Sequence, residues 1–245
     1  MKRLIVASMA IAAMILGSVF TVYIGIPLVS THFHYERYLD PDDARVGYIK
    51  VRVRSTNVTV RFEDDPTRLY RVDVVQYQPG WRHRAYVEDD ADSVGISIYG
   101  WPPWGEPDRA ERVDIVLGTG THYDIYILGD DLNVSVVYDN GAWLGSDELH
   151  IGGTGTAYLE YTEDISFNRS GMVASIDGNI NATLVVDLPP GLNGRMHLSV
   201  GVVPQSQWTY GWSIVDLSTW GTPYQSQPLL QFLIGCDYVS FHLSI

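Results

Sequence analysis

The chain has 245 residues, of which 29 are Asp or Glu and 16 are Lys or Arg, giving a formal net charge of −13. An acidic surface of this kind repels the phosphates of nucleic acids, so nucleic-acid binding is not expected. The single cysteine, Cys236, cannot form an intramolecular disulfide or a cysteine-based metal cluster. Stability is therefore expected from apolar burial and backbone pairing alone.

The N-terminus carries a long run without charged side chains, from Leu4 to Val29. A helix rises about 1.5 Å per residue, so this run could cross a hydrocarbon core of roughly 30 Å. Lys2 and Arg3 precede it, and because cationic flanks stay in the cytoplasm, the rest of the chain is expected outside. We predict a signal anchor over residues 1–29, with residues 4–29 crossing the cell membrane as one helix. A cleaved signal peptide is the alternative.

The part after the anchor divides into a short segment and a long patterned region. Residues 30–44 mix aromatics, histidines and a turn signal, and we predict a stalk there. From residue 45 to 245, apolar and polar residues alternate with a period of two, for example at Ile49–Arg54, Val58–Glu63 and Val239–Ile245. Alternation of this kind places one face in a core and one in water, as in half-buried strands. We predict an all-β extracytoplasmic domain with no further long helix.

The arrangement of these strands is left open by the pattern. The segment Asn57–Asp64 matches Asn133–Asn140 in residue type at nearly every position, and strands follow at short intervals from about Asp131. Stacked coils of a β-solenoid produce such spacing, and so does an antiparallel β-sandwich. A sub-boundary near residue 118 would make the first half a separate lobe. The stretch Val203–Gln227 breaks the rhythm and is expected to form an excursion or a long loop.

Several of these segments resemble a known family of membrane-anchored, extracytoplasmic β-solenoid domains called putative adhesins. The likeness lies in Val113–Leu117 followed by Leu132–Val136, and in Gly178–Leu184 leading through Asp187–Leu192 to Leu198–Gly201. It covers about residues 45 to 202 and includes no catalytic signature. The resemblance implies a stack of β-coils, an external location and an undetermined role. The aromatic-rich stretch after Val203 departs from the short turns of that family.

Four N-glycosylation sequons begin at Asn57, Asn133, Asn168 and Asn181. Glycans at these asparagines would agree with an exported domain. The alternative is structural, because asparagine followed by alternating threonine also suits a β-coil.

Tryptophans form the second set of candidate site residues, at Trp101, Trp104, Trp208, Trp212 and Trp220. Exposed aromatic rings bind sugars or partner proteins. The same rings could instead cap the open ends of a β-core and shield its unpaired edges.

No pattern for catalysis, cofactor binding or a metal centre is found. The acidic clusters at residues 63–65, 88–92 and 130–131 lack the spacing of a calcium loop and are interpreted as solvated turns. His32 and His34 lack a nearby third ligand. We therefore predict a membrane-anchored, cell-surface β-domain that is not an enzyme and has a binding, adhesion or envelope role. The alternatives are a lectin-like module that uses the tryptophans and an exported hydrolase that uses acidic residues.

Overall fold

The computed structural model describes residues 31–245, apart from 41–42, 77–81, 102–111, 146, 168–170, 217 and 223–228. The described residues form seventeen strands and no helix, so the predicted all-β class is confirmed. None of the described residues forms a helix that could span a membrane. The predicted signal anchor lies outside the described residues.

The strands follow one another along the chain as β1 (Thr31–Tyr38), β2 (Val46–Arg54), β3 (Asn57–Phe62), β4 (Arg68–Gln76), β5 (Arg82–Asp89), β6 (Ser93–Trp101), β7 (Arg112–Leu117), β8 (Tyr123–Tyr138), β9 (Trp143–Leu144), β10 (Glu148–Tyr161), β11 (Ser166–Phe167), β12 (Met172–Asp187), β13 (Asn193–Leu198), β14 (Val203–Thr209), β15 (Ser213–Asp216), β16 (Thr219–Gly221) and β17 (Leu229–Ser244).

The alternating sequence produces these strands directly. In β3 every second residue, Val58, Val60 and Phe62, is buried, and the residues between them are exposed. β-Branched and aromatic side chains fit a pleated surface with one buried face. The same alternation runs through the second half of β12, so these strands share one hydrophobic core.

Fifteen of the strands form one large mixed sheet. The four longest strands, β8, β10, β12 and β17, pair with one another in parallel along both of their halves. Their first halves extend a row in the order β5-β6-β2-β8-β10-β12-β17-β13-β16-β15. Their second halves extend a row in the order β1-β4-β7-β3-β8-β10-β12-β17-β14. The alternative prediction of an antiparallel sandwich does not fit the parallel pairing at the centre of each row.

The segments that are alike in sequence lie side by side. Asn57 of β3 pairs with Asn133 of β8, and the next residues continue in the same register up to Arg61 and Val137. Residues of the same type therefore meet on the same face of the sheet.

A row of glycines marks the break between the two halves of the long strands. Gly153 of β10 pairs with Gly129 of β8 on one side and with Gly178 of β12 on the other. All three have a positive φ, which for Gly153 is 123°. A Cβ on Gly153 would overlap the carbonyl oxygen of Gly129, and one on Gly178 would approach that of Gly153. Only glycine allows the chains to pack this closely here.

A column of aromatic rings runs through the core. Phe62, Tyr138 and Tyr161 come from three successive strands of the second row, with ring centroids 4.9 Å and 4.6 Å apart. Tyr138 and Tyr161 are stacked with their planes 4° apart, and Phe232 packs edge-on against Tyr161. All of these rings are buried, so the column joins β3, β8, β10 and β17.

Three predicted boundaries differ from the observed strands. Part of the predicted stalk, Thr31–Tyr38, is strand β1, which pairs with β4 and packs Phe33 and Tyr35 against the core. β2 and β3 precede residue 118 and β8 follows it, yet they pair directly and share one core. The predicted excursion after Val203 contains strands β14, β15 and β16. In each case pairing with a strand elsewhere in the chain decided the structure, and local composition did not indicate it.

Candidate interaction surface

The two rows of the sheet end together at β14 and β15, the segment Val203–Asp216, which we call the C-terminal rim. Among the described residues, β14 pairs only with β17, and β15 pairs only with β16. Large apolar side chains are exposed on and around the rim: Val200, Val203, Trp208, Tyr210, Ile214, Val215, Tyr238 and Ile245. Most of the exposed large apolar residues of the described structure lie at this end.

The rim is nearly without charge in a strongly acidic chain. After Arg195 the sequence contains no Lys, Arg or Glu, and its only acidic residues are Asp216 and Asp237. The edge strands at the opposite end, β1 and β5, carry charged residues such as Glu36, Arg37 and Arg84. Natural proteins commonly protect edge strands with charges, because a bare edge invites pairing with another chain. The C-terminal rim lacks that protection.

Strand β14 is exposed on both of its faces. All seven of its residues are exposed, although Gln207 and Thr209 pair with the buried Phe241 and Leu243 of β17. A strand inside a packed sheet would bury one face. β14 therefore offers both faces and one backbone edge to a partner.

The neighbouring aromatic residues hold the rim in place. The Trp208 ring lies 3.9 Å from the His242 ring and 6.4 Å from the Tyr210 ring. The Tyr210 backbone N–H donates to the Leu243 carbonyl at 2.8 Å. Trp212 is buried, and its indole N–H donates to the Ser244 carbonyl at 3.3 Å. The Trp208 ring thus contacts His242 of β17, and the hydrogen bonds of Tyr210 and Trp212 hold the rim against the same strand.

The structure separates the predicted tryptophans into exposed and buried residues. Trp208 is 50% exposed and belongs to the rim. Trp212 and Trp220 are buried, and Trp220 packs against Phe241 at 5.1 Å, so these two rings are core residues and not an exposed platform. The side chain of Trp101 and all of Trp104 lie outside the described residues.

Three of the sequon asparagines lie on strands of the second row, away from the rim. Asn57, Asn133, Thr156 and Asn181 occupy paired positions on β3, β8, β10 and β12. The Asn133 amide donates to Asn57 at 3.0 Å, and the Thr156 hydroxyl donates to Asn133 at 2.9 Å. The three asparagines are exposed, and glycosylation at them stays a prediction. Asn168 lies outside the described residues.

The first acidic cluster, residues 63–65, surrounds an arginine. Arg68 pairs with Glu36, with Glu63 at 3.6 Å and with Asp65 at 3.4 Å. Asp65 also accepts hydrogen bonds from the Thr67 hydroxyl and backbone N–H, which lower the pKa of its carboxyl. Among the described residues, no group of three or more His, Cys, Asp and Glu side chains could hold a metal ion.

A partly buried ion pair lies just before strands β8 and β10, where His122 Nδ1 approaches Asp147 Oδ1 at 2.5 Å. The Asp147 side chain is 2% exposed, and its other oxygen accepts the Gly145 N–H at 2.8 Å. The close approach of the Asp147 carboxylate raises the pKa of His122 above its usual 6.5. The protonated imidazole is therefore favoured in the folded protein.

This pair predicts a specific dependence of stability on pH. A histidine whose pKa is raised by folding adds stability below its unfolded pKa of about 6.5, and that stability is lost as the pH rises through the folded pKa. The free energy of unfolding, measured by urea titration from pH 6 upward, should fall with pH more steeply for the wild type than for His122→Gln. Parallel curves for the two proteins would contradict this.

The low charge of the rim is visible in the sequence, but it was not used to predict an interaction surface. The absence of Lys, Arg and Glu after Arg195 separates this region from the rest of the chain. The tryptophan count drew attention to the same region but could not distinguish Trp208 from the two buried rings.

No family model matches the chain, and no curated protein matches it. A "putative cell adhesion protein" from Clostridium sporogenes matches it in structure with a TM-score of 0.50 and 10% identity, covering 87% of this chain and 99% of its own. At that identity the likeness shows the fold alone, so the described part of the chain is all-β with the fold of that structure.

Two further solved structures are more distant. A "putative adhesin" from Bacteroides fragilis has a TM-score of 0.29 and 10% identity, covering 88% of this chain and 97% of its own. A "putative lipid binding protein" from Parabacteroides distasonis has a TM-score of 0.29 and 10% identity, covering 85% and 96%.

Proposed function

We propose that this protein is a membrane-anchored, extracytoplasmic β-solenoid domain that acts in adhesion and binds its partner through the C-terminal rim. The uncharged, exposed aromatic surface around Trp208 is the observation that carries the proposal. Exposed apolar patches of this kind mark interaction sites in soluble domains. The fold shared with the structure from Clostridium sporogenes is consistent with it.

The solenoid description rests on the parallel rows and their register. Each of β8, β10, β12 and β17 supplies a segment to both rows, and the next strand repeats the path one step along. Repeated coils that bury their inward residues against the next coil have this pattern. The sequence repeat at Asn57 and Asn133 is aligned by the same stacking.

In this proposal the anchor is connected to one end of the sheet and the rim lies at the other end. The apolar run Leu4–Val29 directly precedes β1, and β1 and β14 are the two end strands of the second row. Neighbouring strands are about 4.8 Å apart, so the row would hold the rim roughly 40 Å from β1. The rim would then face away from the membrane, towards another surface.

The experiment uses cells that express the full chain. Protease added to intact cells should digest the domain, because an external domain is accessible. Cells carrying the wild type should adhere to one another or to a layer of cells that lack the chain. Cells carrying Trp208→Lys should lose that adhesion, since a charge on the rim opposes apolar contact.

The matched control is Val87→Lys, which places the same charge on the exposed edge strand β5 at the other end. Cells with this variant should adhere like the wild type. A domain protected from protease would overturn the location, and equal adhesion by both lysine variants would overturn the role of the rim.

Carbohydrate binding is the second candidate, and one observation favours it. The Trp208 and Tyr210 rings are exposed and lie within 21° of parallel, as an aromatic platform for a sugar ring would require. Wild-type protein should then bind at least one glycan on an array, and Trp208→Ala should lose that signal while staying folded. An array without hits would remove this candidate. We propose no catalytic role for the chain.

A further inference from the structure

We propose that the partner of the C-terminal rim is a second copy of this chain, joined by antiparallel pairing of the two β14 strands about a twofold axis at Trp208. This inference rests on the proposed function, because it uses the same surface. It adds the identity of the partner and the register of the contact.

The hydrogen bond of Tyr210 shows which backbone N–H and C=O groups of β14 face β17 and which face away from it. The Tyr210 N–H donates to Leu243 of β17, so the backbone groups of Tyr210 face β17. Backbone groups alternate in direction along a strand, which also turns those of Trp208 towards β17. The N–H and C=O groups of Gln207 and Thr209 then face away from β17, on the side where no described strand pairs with β14.

These free groups are compatible with a twofold contact. With Trp208 opposite Trp208 of the second copy, Gln207 stands opposite Thr209 of that copy, and Thr209 opposite its Gln207. Each of these pairs can exchange both backbone hydrogen bonds, as hydrogen-bonded pairs in antiparallel sheets do. The two Trp208 residues form a non-hydrogen-bonded pair with Cα atoms about 4.5 Å apart, where aromatic side chains interact across strands.

The C-terminal rim is the surface on which two copies of this acidic chain can meet without like-charge repulsion. The chain has a net charge of −13, so two copies repel each other over most of their surface. The rim supplies an uncharged contact, because β14 contains no charged residue and Val203, Trp208 and Tyr210 are exposed there. A charged partner would find no complementary charge on β14, whereas a second β14 matches it in both polarity and backbone pattern.

The pairing has a geometric consequence for anchored molecules. β1 lies at the opposite end of the row from β14, so two copies joined at their rims have their N-terminal ends pointing apart. Such a dimer connects molecules held in two facing membranes.

The test measures dimerisation of the full chain in detergent micelles by sedimentation velocity. The wild type should dimerise, and Gln207→Pro should weaken the dimer at least tenfold, because proline removes a free N–H at the contact. Trp208→Ala keeps every backbone group and should weaken the dimer to a similar extent. Circular dichroism checks that both variants stay folded.

The matched control is Val87→Pro. Asp90 donates its N–H to Ser93 across the hairpin that joins β5 to β6. By alternation, the N–H of Val87 faces away from β6, on the side where no described strand pairs with β5. This variant loses an equivalent free N–H at the other end and should dimerise like the wild type.

Three results would overturn the inference: a monomeric wild type, a dimer unaffected by both rim variants, or a dimer weakened equally by Val87→Pro. A monomeric wild type whose cells still adhere, with adhesion lost in Trp208→Lys, would reject the second copy and leave the proposed function standing. If cells carrying Trp208→Lys adhered as well as cells carrying the wild type, the proposed function would be rejected instead.

Discussion

Gly153→Ala is expected to lower the free energy of unfolding by about 4 kcal/mol or more, which is near the upper limit for a single substitution. The methyl group would overlap the carbonyl oxygen of Gly129 on the neighbouring strand. Relief requires β8 and β10 to separate, and that breaks backbone hydrogen bonds worth about 1 kcal/mol each. The backbone also has a φ of 123°, which an L-residue rarely adopts. Urea denaturation followed by circular dichroism measures the change.

Gly201→Ala distinguishes the cost of steric overlap between strands from the cost of a positive φ. Gly201 also has a positive φ, of 99°, but an added Cβ there would meet nothing within 4 Å. Its loss should be about 1–2 kcal/mol, which is the cost of the backbone conformation alone. If both variants lost the same free energy, the close approach of the strands at Gly153 would not contribute to stability.

Tyr161→Ala should cost about 3–5 kcal/mol, because it leaves a cavity in the middle of the aromatic column. Tyr161 has no exposed surface, and its ring contacts Tyr138 on one side and Phe232 on the other. The measurement is again the free energy of unfolding. A loss below about 1 kcal/mol would show that the column can close around the gap.

Tyr138→Phe provides the contrast in the same column. The Tyr138 hydroxyl is buried and has no hydrogen-bond partner among the described residues. Removing a buried hydroxyl that lacks a partner recovers its desolvation cost, so this variant should be as stable as the wild type or more stable. A clear loss of stability would indicate that the hydroxyl has a partner in solution.

The sequence predicted the class of the fold because alternation is a local property. Val58, Val60 and Phe62 are two residues apart, and that spacing alone places them on one face of a strand. It could not predict that β3 lies between β7 and β8, because the partner of a strand depends on contacts far along the chain. The parallel register was suggested only where the sequence repeats itself, at Asn57 and Asn133.

The rim was predicted in part. Aromatic composition pointed to Val203–Gln227, but exposure is decided by what packs on each ring. Trp212 lies against Gly194, where the absence of a side chain makes room for the indole, whereas Trp208 faces outward beside His242. Residue type cannot distinguish these environments. The change in charge after Arg195 can be read from the sequence and is the better guide to the surface.

The position of β17 has a consequence for biosynthesis. This strand follows β13 and β14 in the chain but lies between them and β12 in both rows. A nascent polypeptide that stops before Leu229 has no strand to bridge the gap between β12 and these strands, so the C-terminal rim cannot assemble on it. Interrupted translation products would thus lack the rim, and only chains synthesised through β17 would complete both rows of the sheet.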